Sequence, residues 1–213
     1  MFFITKGTIM RAIITLLILA AVTLSAALIP SKSYTTITAV NGNRVTLQNP
    51  IGINGESALV VRTLASGEFA TAYIMQTSDN KAYLIDNDPV DGGHLANIKP
   101  TLKVGDRVIG GFLYDKVIIL APNRETFNKV QANYGINSID PDTFAAYLKA
   151  NNQSPSRSAY KKFAKMVGVG LFIIAKSNTI EVYDPISQKT LSKSSFNRVG
   201  TKDTKPFYNT FSE

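Results

Sequence analysis

The residues best suited to chemistry lie close together, between Asp86 and His94. Residues 86–92 read DNDPVDG, the most acidic stretch of the chain, and His94 is the one histidine. Oxygen ligands at this density are typical of Ca²⁺ sites. The EF-hand register fails, however, because Val90 takes the fifth ligand position and Asn97 the place of the bidentate glutamate. We therefore interpret the stretch as a surface loop with Asx turns and predict no metal.

The chain offers few side chains for the other common reaction types. It contains no cysteine and one histidine, which excludes disulfides, cysteine nucleophiles, cysteine-ligated zinc and sites with several histidines. A serine triad would require His94, but no Gly-x-Ser-x-Gly elbow is present to expose a nucleophile. We therefore predict a protein that is not an enzyme and that binds no cofactor.

Three further patterns are better explained by structure than by chemistry. The Gly-Val-Gly motif at 168–170 lacks the third glycine of a dinucleotide fingerprint and follows a predicted helix, the reverse of the required order. Asp140 with Asp142, and Glu181 with Asp184, are the carboxylate pairs that glycoside hydrolysis would use. We interpret Asp140 as a helix cap and Asp184 as part of a turn.

Residues 34–122 have the pattern of short β-strands separated by turns. The predicted strands span 34–40, 44–48, 57–64, 69–77, 82–86, 107–113 and 116–121. Asn41-Gly42-Asn43 is a strong hairpin signal, and Tyr114-Asp115 predicts a hairpin between the last two strands. The glycines at 110–111 indicate a bend or bulge of the kind that tight barrels use. We expect a small closed barrel, OB-like or SH3-like.

From residue 123 the period of the apolar residues becomes helical. Asn123 and Asp140 are predicted to cap two helices, and Ser154-Pro155 to start a third. The third helix is predicted to bury an apolar face and to expose a basic one. The apolar face comprises Tyr160, Phe163 and Val167, and the basic face comprises Arg157, Lys161, Lys162 and Lys165.

After the helices, the sequence returns to strands. A hairpin is predicted from Leu171 to Tyr183, and residues 136–139 are a candidate short strand of the same sheet. Residues 123–192 therefore predict a small α+β layer, so that the fold class is α+β with an N-terminal barrel. Because no linker separates the barrel from this layer, we expect the two to share an interface.

The two ends of the chain have distinct compositions. Lys6 and Arg11 precede an apolar run within residues 1–30, the order of a secretory signal peptide or, if uncleaved, of a membrane anchor; translation could start at Met1 or Met10. Residues 193–213 follow neither period and are predicted to be a disordered tail. The leader predicts export to the periplasm or cell surface, with membrane attachment through this segment if it is retained.

The formal charge of +8 is concentrated after residue 122. A basic face of this kind can attract an acidic protein, anionic lipid or nucleic acid, or can simply keep a helix soluble. Because the leader predicts export, nucleic acid is the least expected of these, and we predict a protein partner.

Two stretches of sequence carry a resemblance to a known family. One spans 103–123 (KVGDRVIGGFLYDKVIILAPN), and the other combines 169–174 (VGLFII) with 182–191 (VYDPISQKTL). Together with the Asn41-Gly42 hairpin, they resemble the N-terminal domain of the bacterial plasminogen-binding protein family. The resemblance covers the chain from Tyr34 to Lys193.

The resemblance implies an exported, envelope-associated, non-enzymatic protein of Gram-negative bacteria that binds host plasminogen through lysines engaging its kringle domains. The sequence ends Ser212-Glu213 rather than in lysine, so internal lysines are expected to serve. The candidates are Lys161, Lys162 and Lys165 on the third helix and Lys202 and Lys205 in the tail. The alternative function is a periplasmic structural adaptor of an envelope machine such as the flagellar motor.

Overall fold

The computed structural model describes residues 28–89, 96–97 and 101–201. The predicted leader, apart from its last three residues, lies outside these ranges, as do Asp91 and His94. Across the described ranges, no helix is long and apolar enough to cross a membrane. The same ranges hold two β-sheets and three helices.

The first sheet is a closed barrel. Its strands are β1 Ser33–Asn41, β2 Arg44–Leu47, β3 Ser57–Leu64, β4 Gly67–Ser78, β5 Lys81–Asp86, β6 Ala96–Asn97 and β7 Arg107–Gly110. Six of them form an antiparallel ring in the order β3-β7-β1-β2-β5-β4, and β4 pairs with β3 to close it. The short β6 joins β4 in parallel. The predicted α+β class with a small N-terminal barrel is confirmed.

Side chains that alternate between the inside and the outside of the barrel give it an apolar core of its own. Ile37, Leu47, Val60 and Ile74 are buried inside the ring, as expected where every second side chain points inward. The predicted hairpin at Asn41-Gly42-Asn43 is confirmed, since Asn41 pairs with Arg44. Burial of this apolar row, together with closure of the ring, stabilises strands that are individually short.

The second sheet lies after the barrel in sequence. Its strands are β8 Val117–Leu120, β9 Ser138–Ile139, β10 Leu171–Ala175, β11 Thr179–Asp184 and β12 Lys189–Ser195, in the order β12-β11-β10-β8-β9. The helices are α1 Arg124–Tyr134, α2 Asp142–Ala150 and α3 Arg157–Val167. The predicted hairpin of β10 and β11 and the predicted short strand near residue 138 are both confirmed.

The predicted hairpin across Tyr114-Asp115 is wrong. β7 ends at Gly110, and Gly111, with a φ of 60°, begins a turn that leads the chain out of the barrel. β8 then pairs in parallel with β10 in the second sheet instead of with β7. All four residues of β8 are buried, and a strand that is apolar on both faces is typical of the centre of a parallel arrangement.

Side-chain hydrogen bonds lie at the starts of the first two helices. The side chain of Asn123 accepts the N–H of Thr126 at 2.7 Å, which confirms the predicted cap of α1. α2 begins one residue later than predicted, with Pro141 rather than Asp140 at the N-cap position and no side-chain cap there, but the carboxylate of Asp140 still accepts the N–H of Asp142 at 2.9 Å. Both side chains satisfy backbone donors that have no partner within the helix.

The start of α3 lies two residues later than predicted. Ser156, rather than Ser154-Pro155, is the cap, because its hydroxyl accepts the N–H of Ala159 and its own backbone is still extended. The buried face of the helix includes Ala159, Phe163 and Ala164. The predicted apolar residues Tyr160 and Val167 pack against the same core and are partly buried.

Each face of the second sheet has its own apolar cover. On one face, Ile119, Leu171 and Ile173 pack with Phe127 and Val130 of α1. On the other, Phe172 packs in one cluster with residues of α2, α3 and the barrel: Phe144, Leu148, Phe163, Leu59, Val61 and Tyr73. The barrel and the α+β layer therefore share an interface, as predicted.

The predicted disordered tail begins too early. Residues 193–195 complete β12, and Phe196 is buried against the α1 side of the second sheet. The amide of Asn123 donates to the carbonyls of Val199 and Thr201 at 2.8 Å. One buried aromatic and a few backbone contacts order this segment, although it has no periodic pattern. Residues 202–213 lie outside the described ranges.

Candidate functional site

The lysines predicted on α3 lie beside the end of strand β5. Lys161 and Lys165 are four residues apart, so they share one face of the helix. The ammonium of Lys161 lies 2.8 Å from the carboxylate of Asp86, and that of Lys165 lies 3.3 Å from the same oxygen. Lys165 also lies 3.6 Å from Asp88. The basic helix is therefore joined to the barrel by ion pairs, and Lys161 and Lys165, predicted on the exposed face of the helix, are partly buried.

Asp86 is the centre of this cluster, and its side chain is 12% exposed. Burial raises the pKa of Asp86, but the hydrogen bond from Lys161, the N–H of Asp88 and the charges of Lys161 and Lys165 together hold it below its ordinary value. The N–H of Asp88 donates to Asp86 at 2.9 Å, the Asx turn expected from the sequence. Asp86 is thus an ionised partner for lysine.

Lys162, the remaining predicted lysine on α3, has a different environment. Lys162 is exposed on α3, and no carboxylate of the described ranges lies within ion-pair distance of its ammonium. Lys202 and Lys205 lie outside the described residues. Of the predicted lysines that the structure describes, Lys162 is the one whose charge is not already matched.

Of the acidic stretch that begins at Asp86, the structure describes Asp86 and Asp88, whereas Asp91 and His94 lie outside the described ranges. Within them, no three side chains of His, Cys, Asp or Glu are grouped so that they could hold a metal ion. The carboxylate pair considered at Glu181 and Asp184 is split between two environments. Glu181 lies 3.1 Å from each of the Lys176 and Lys193 ammonium groups, and Asp184 is fully buried.

The Gly-Val-Gly motif has a structural role. Gly168 ends α3 with a φ of 72°, the left-handed conformation that favours glycine. Two residues later the chain passes so close to the turn after β7 that a Cβ at Gly170 would overlap the backbone carbonyl of Leu113. Both glycines are therefore explained by the fold.

A buried polar cluster between the barrel and the second sheet was not predicted. Asp184, at the end of β11, accepts the N–H of Ser57 at 2.8 Å and the hydroxyl of Tyr114 at 2.7 Å. Its other oxygen accepts the N–H groups of Ile186 at 2.8 Å and Ser187 at 3.0 Å. One carboxylate thus bonds to β3, to the turn after β7 and to its own turn. The turn at Asp184 was predicted, but its contacts across the interface were not.

A second carboxylate lies in the same cluster. Glu56 is fully buried, and one of its oxygens accepts the N–H of Ile53 at 3.2 Å. Its other oxygen has no hydrogen-bond partner among the described residues. Burial, together with the charge of Asp184 and against the hydrogen bond from Ile53, raises the pKa of Glu56 from 4.5 to about 7.

The neighbours of Glu56 respond to the same environment. Burial raises the pKa of Asp184, although the donors around its carboxylate favour the ionised form. Burial also raises the pKa of Tyr114 well above its ordinary value, and the charges of Asp184 and Glu56 add to the effect. The cluster is closed to solvent and has the character of a structural joint between the two sheets.

Comparison with known protein families gives a match over most of the chain. A family model described as "Plasminogen-binding protein pgbA N-terminal" matches residues 32–213. No curated protein and no solved structure matches the chain.

Proposed function

The chain belongs to the plasminogen-binding protein pgbA N-terminal family, and from this premise we propose that it binds plasminogen through lysine side chains and acts without catalysis. The match over residues 32–213 is the observation that carries the proposal. We propose in addition that the protein is exported and displayed on the cell envelope, where plasminogen is accessible. The alternative of a periplasmic adaptor stays a prediction.

The environments of the three lysines on α3 refine the proposed contact. A kringle binds the ammonium group of a lysine side chain. A lysine that is already paired with a carboxylate of its own protein must first give up that ion pair, so an unpaired lysine binds more easily. Lys161 and Lys165 are paired with Asp86, whereas Lys162 is exposed. We therefore place the contact at Lys162 and at the predicted tail lysines Lys202 and Lys205.

Surface plasmon resonance on immobilised plasminogen tests this proposal. The K162A/K202A/K205A variant is expected to bind at least about tenfold more weakly than the wild type, the loss of roughly one charge-assisted contact. The lysine analogue 6-aminohexanoic acid should abolish binding of the wild type. The matched control, K103A/K149A/K189A, removes the same charge from three lysines elsewhere that are exposed. Binding that is indifferent to the analogue, or an equal loss in the control, contradicts the proposal.

Replacement of Asp86 tests whether ion pairing keeps Lys161 and Lys165 from binding plasminogen. D86N removes the charge that holds Lys161 and one of the two carboxylates that hold Lys165, leaving Asp88, and should raise plasminogen affinity by up to about fivefold, equivalent to about 1 kcal/mol. The same variant in the K161A/K165A background should show no gain. A gain that persists without the two lysines would assign the effect to some other consequence of losing Asp86.

A further inference from the structure

A groove of about 740 Å³ lies on the outer face of the barrel, across β1, β2, β5 and β4. Grooves of this volume are within the range of ligand sites. Residues from all four strands line it, among them Asn41, Arg44, Met75, Lys81 and Tyr83. None of the residues described in this groove is acidic.

Strand register orders the central side chains into a row. Arg44 on β2 pairs with Asn41 on β1 and with Tyr83 on β5, and Tyr83 in turn pairs with Met75 on β4. Residues opposite one another on neighbouring strands have side chains on the same face, about 5 Å apart. The row therefore presents an amide, a guanidinium, a phenol ring and a thioether side by side.

A parallel row lies two residues further along the strands. Thr46 on β2 pairs with Ala39 on β1 and with Lys81 on β5. Lys81 is thus a diagonal neighbour of Arg44, at about 7–8 Å. The two cations stand close enough to act on one extended ligand.

The positive charge of the groove is not compensated within it. Among the described residues, no carboxylate pairs with Arg44 or Lys81. Lys81 donates one proton to the hydroxyl of Thr46 at 2.9 Å, which leaves its other two donors for a ligand. The groove is therefore complementary to an anion.

The remaining lining groups suit a polyhydroxylated ligand. Tyr83 is 40% exposed, and its hydroxyl accepts a hydrogen bond from Asn43 at 3.4 Å, which helps to orient the ring. Hydroxyls of Thr46, Thr77 and Ser78 also line the groove. An aromatic face flanked by hydroxyl and amide groups can hold a sugar ring by contact on the face and by hydrogen bonds at the edges.

We propose that this groove binds an anionic polysaccharide, with Tyr83 under a sugar ring and Arg44 and Lys81 on its carboxylate or sulfate groups. The site is separate from the lysines assigned to plasminogen, and neither proposal depends on the other. It would give the protein a second ligand, of a different chemical class.

Other anionic chains fit these observations less well. The two central strands under the groove, β2 and β5, are paired on both sides at Arg44, Lys81 and Tyr83, so these strands offer no free edge to hydrogen-bond the backbone of an acidic peptide. Single-stranded nucleic acid is held by several aromatic platforms in succession, whereas Tyr83 is the one aromatic ring among the described lining residues. The saccharide uses more of the groups present than either alternative.

Binding to defined polymers tests the site in the intact protein. Heparin supplies sulfate groups and polygalacturonate supplies carboxylates, and binding of either supports the proposal and identifies the preferred group. R44A/K81A is expected to bind at least about tenfold more weakly, with a shallower dependence on salt. The control K103A/K149A has the same net charge as R44A/K81A and should bind the polysaccharides less than about twofold more weakly than the wild type.

The contribution of the ring is separated from charge by two substitutions. Y83A should weaken binding about tenfold without changing the salt dependence, while Y83F should bind like the wild type, because only the ring face is required. Melting temperatures close to that of the wild type should accompany each variant, and each should retain plasminogen binding. The proposal is overturned if neither polysaccharide binds, if the control loses as much as R44A/K81A, or if polyglutamate or oligothymidylate binds more tightly than both polysaccharides.

Discussion

Replacement of Asp184 by alanine is expected to lower the free energy of unfolding by about 3–5 kcal/mol, because it leaves several buried donors without an acceptor. The N–H groups of Ile186 and Ser187 and the hydroxyl of Tyr114 lose their acceptor, and the N–H of Ser57 keeps only the hydroxyl of Tyr114, at 3.3 Å. The variant no longer buries a charged group, which offsets part of the lost free energy, but the buried donors remain without an acceptor. Urea denaturation followed by circular dichroism measures the change.

A matched substitution separates this effect from general loss of a carboxylate. Asp115 is exposed and follows Tyr114 directly, so D115A should change the free energy of unfolding by no more than about 0.5 kcal/mol. Tyr114→Phe removes one of the four donors and should cost about 1–2 kcal/mol. A D184A variant within about 1 kcal/mol of the wild type would show that water or a rearranged turn replaces the carboxylate.

The large expected loss of stability follows from the position of Asp184 between the two sheets. Ser57 belongs to β3 of the barrel, and Asp184 ends β11 of the second sheet. The carboxylate therefore ties together two sheets whose apolar side chains, Leu59 on β3 and Phe172 on β10, already lie in one core cluster. Loss of such a joint should reduce the cooperativity of unfolding as well as its free energy, which would lower the denaturant slope.

Features that depend on neighbouring residues were predictable from the sequence. The turn at Asn41-Gly42-Asn43, the cap at Asn123 and the hairpin of β10 and β11 each follow from residues within a few positions of one another. Local turn chemistry and apolar period decide such elements. The N-terminal barrel followed from the number of such strands and turns.

The choice of strand partners was not predictable in the same way. Tyr114-Asp115 has the composition of a hairpin turn, yet β8 pairs with β10, more than fifty residues later in the chain. The four consecutive apolar residues of β8 indicate a fully buried strand, but not which strand covers it. Sequence patterns specify burial, whereas the partner follows from how the whole chain is packed.

The candidate site shows the same division. The spacing of Lys161 and Lys165 correctly predicts that they share a face of α3, but their partner Asp86 lies in the barrel. Glu56 gave no signal at all, because a glutamate is ordinarily exposed. Such long-range polar contacts depend on tertiary packing, and they are the features of the site that the sequence left unpredicted.

Glu56 makes the stability of the protein depend on pH. Its pKa is raised from 4.5 to about 7 in the folded state, so folding favours the protonated carboxyl. At low pH the group is protonated in both states and contributes no difference. As the pH rises above 4.5 the unfolded chain ionises first, and the folded state loses up to about 3 kcal/mol relative to it by about pH 8.

Replacement of Glu56 by glutamine removes this penalty while preserving the shape of the side chain. E56Q should match the wild type at about pH 4 and should exceed its free energy of unfolding by up to about 3 kcal/mol at about pH 8. Urea denaturation across this range measures the difference. Glu125 is exposed at the start of α1, so E125Q provides a control that should differ from the wild type by less than about 1 kcal/mol throughout. A difference between E56Q and the wild type that stays constant with pH would mean that Glu56 remains ionised in the folded protein, with Ile53 and the surrounding backbone compensating its charge.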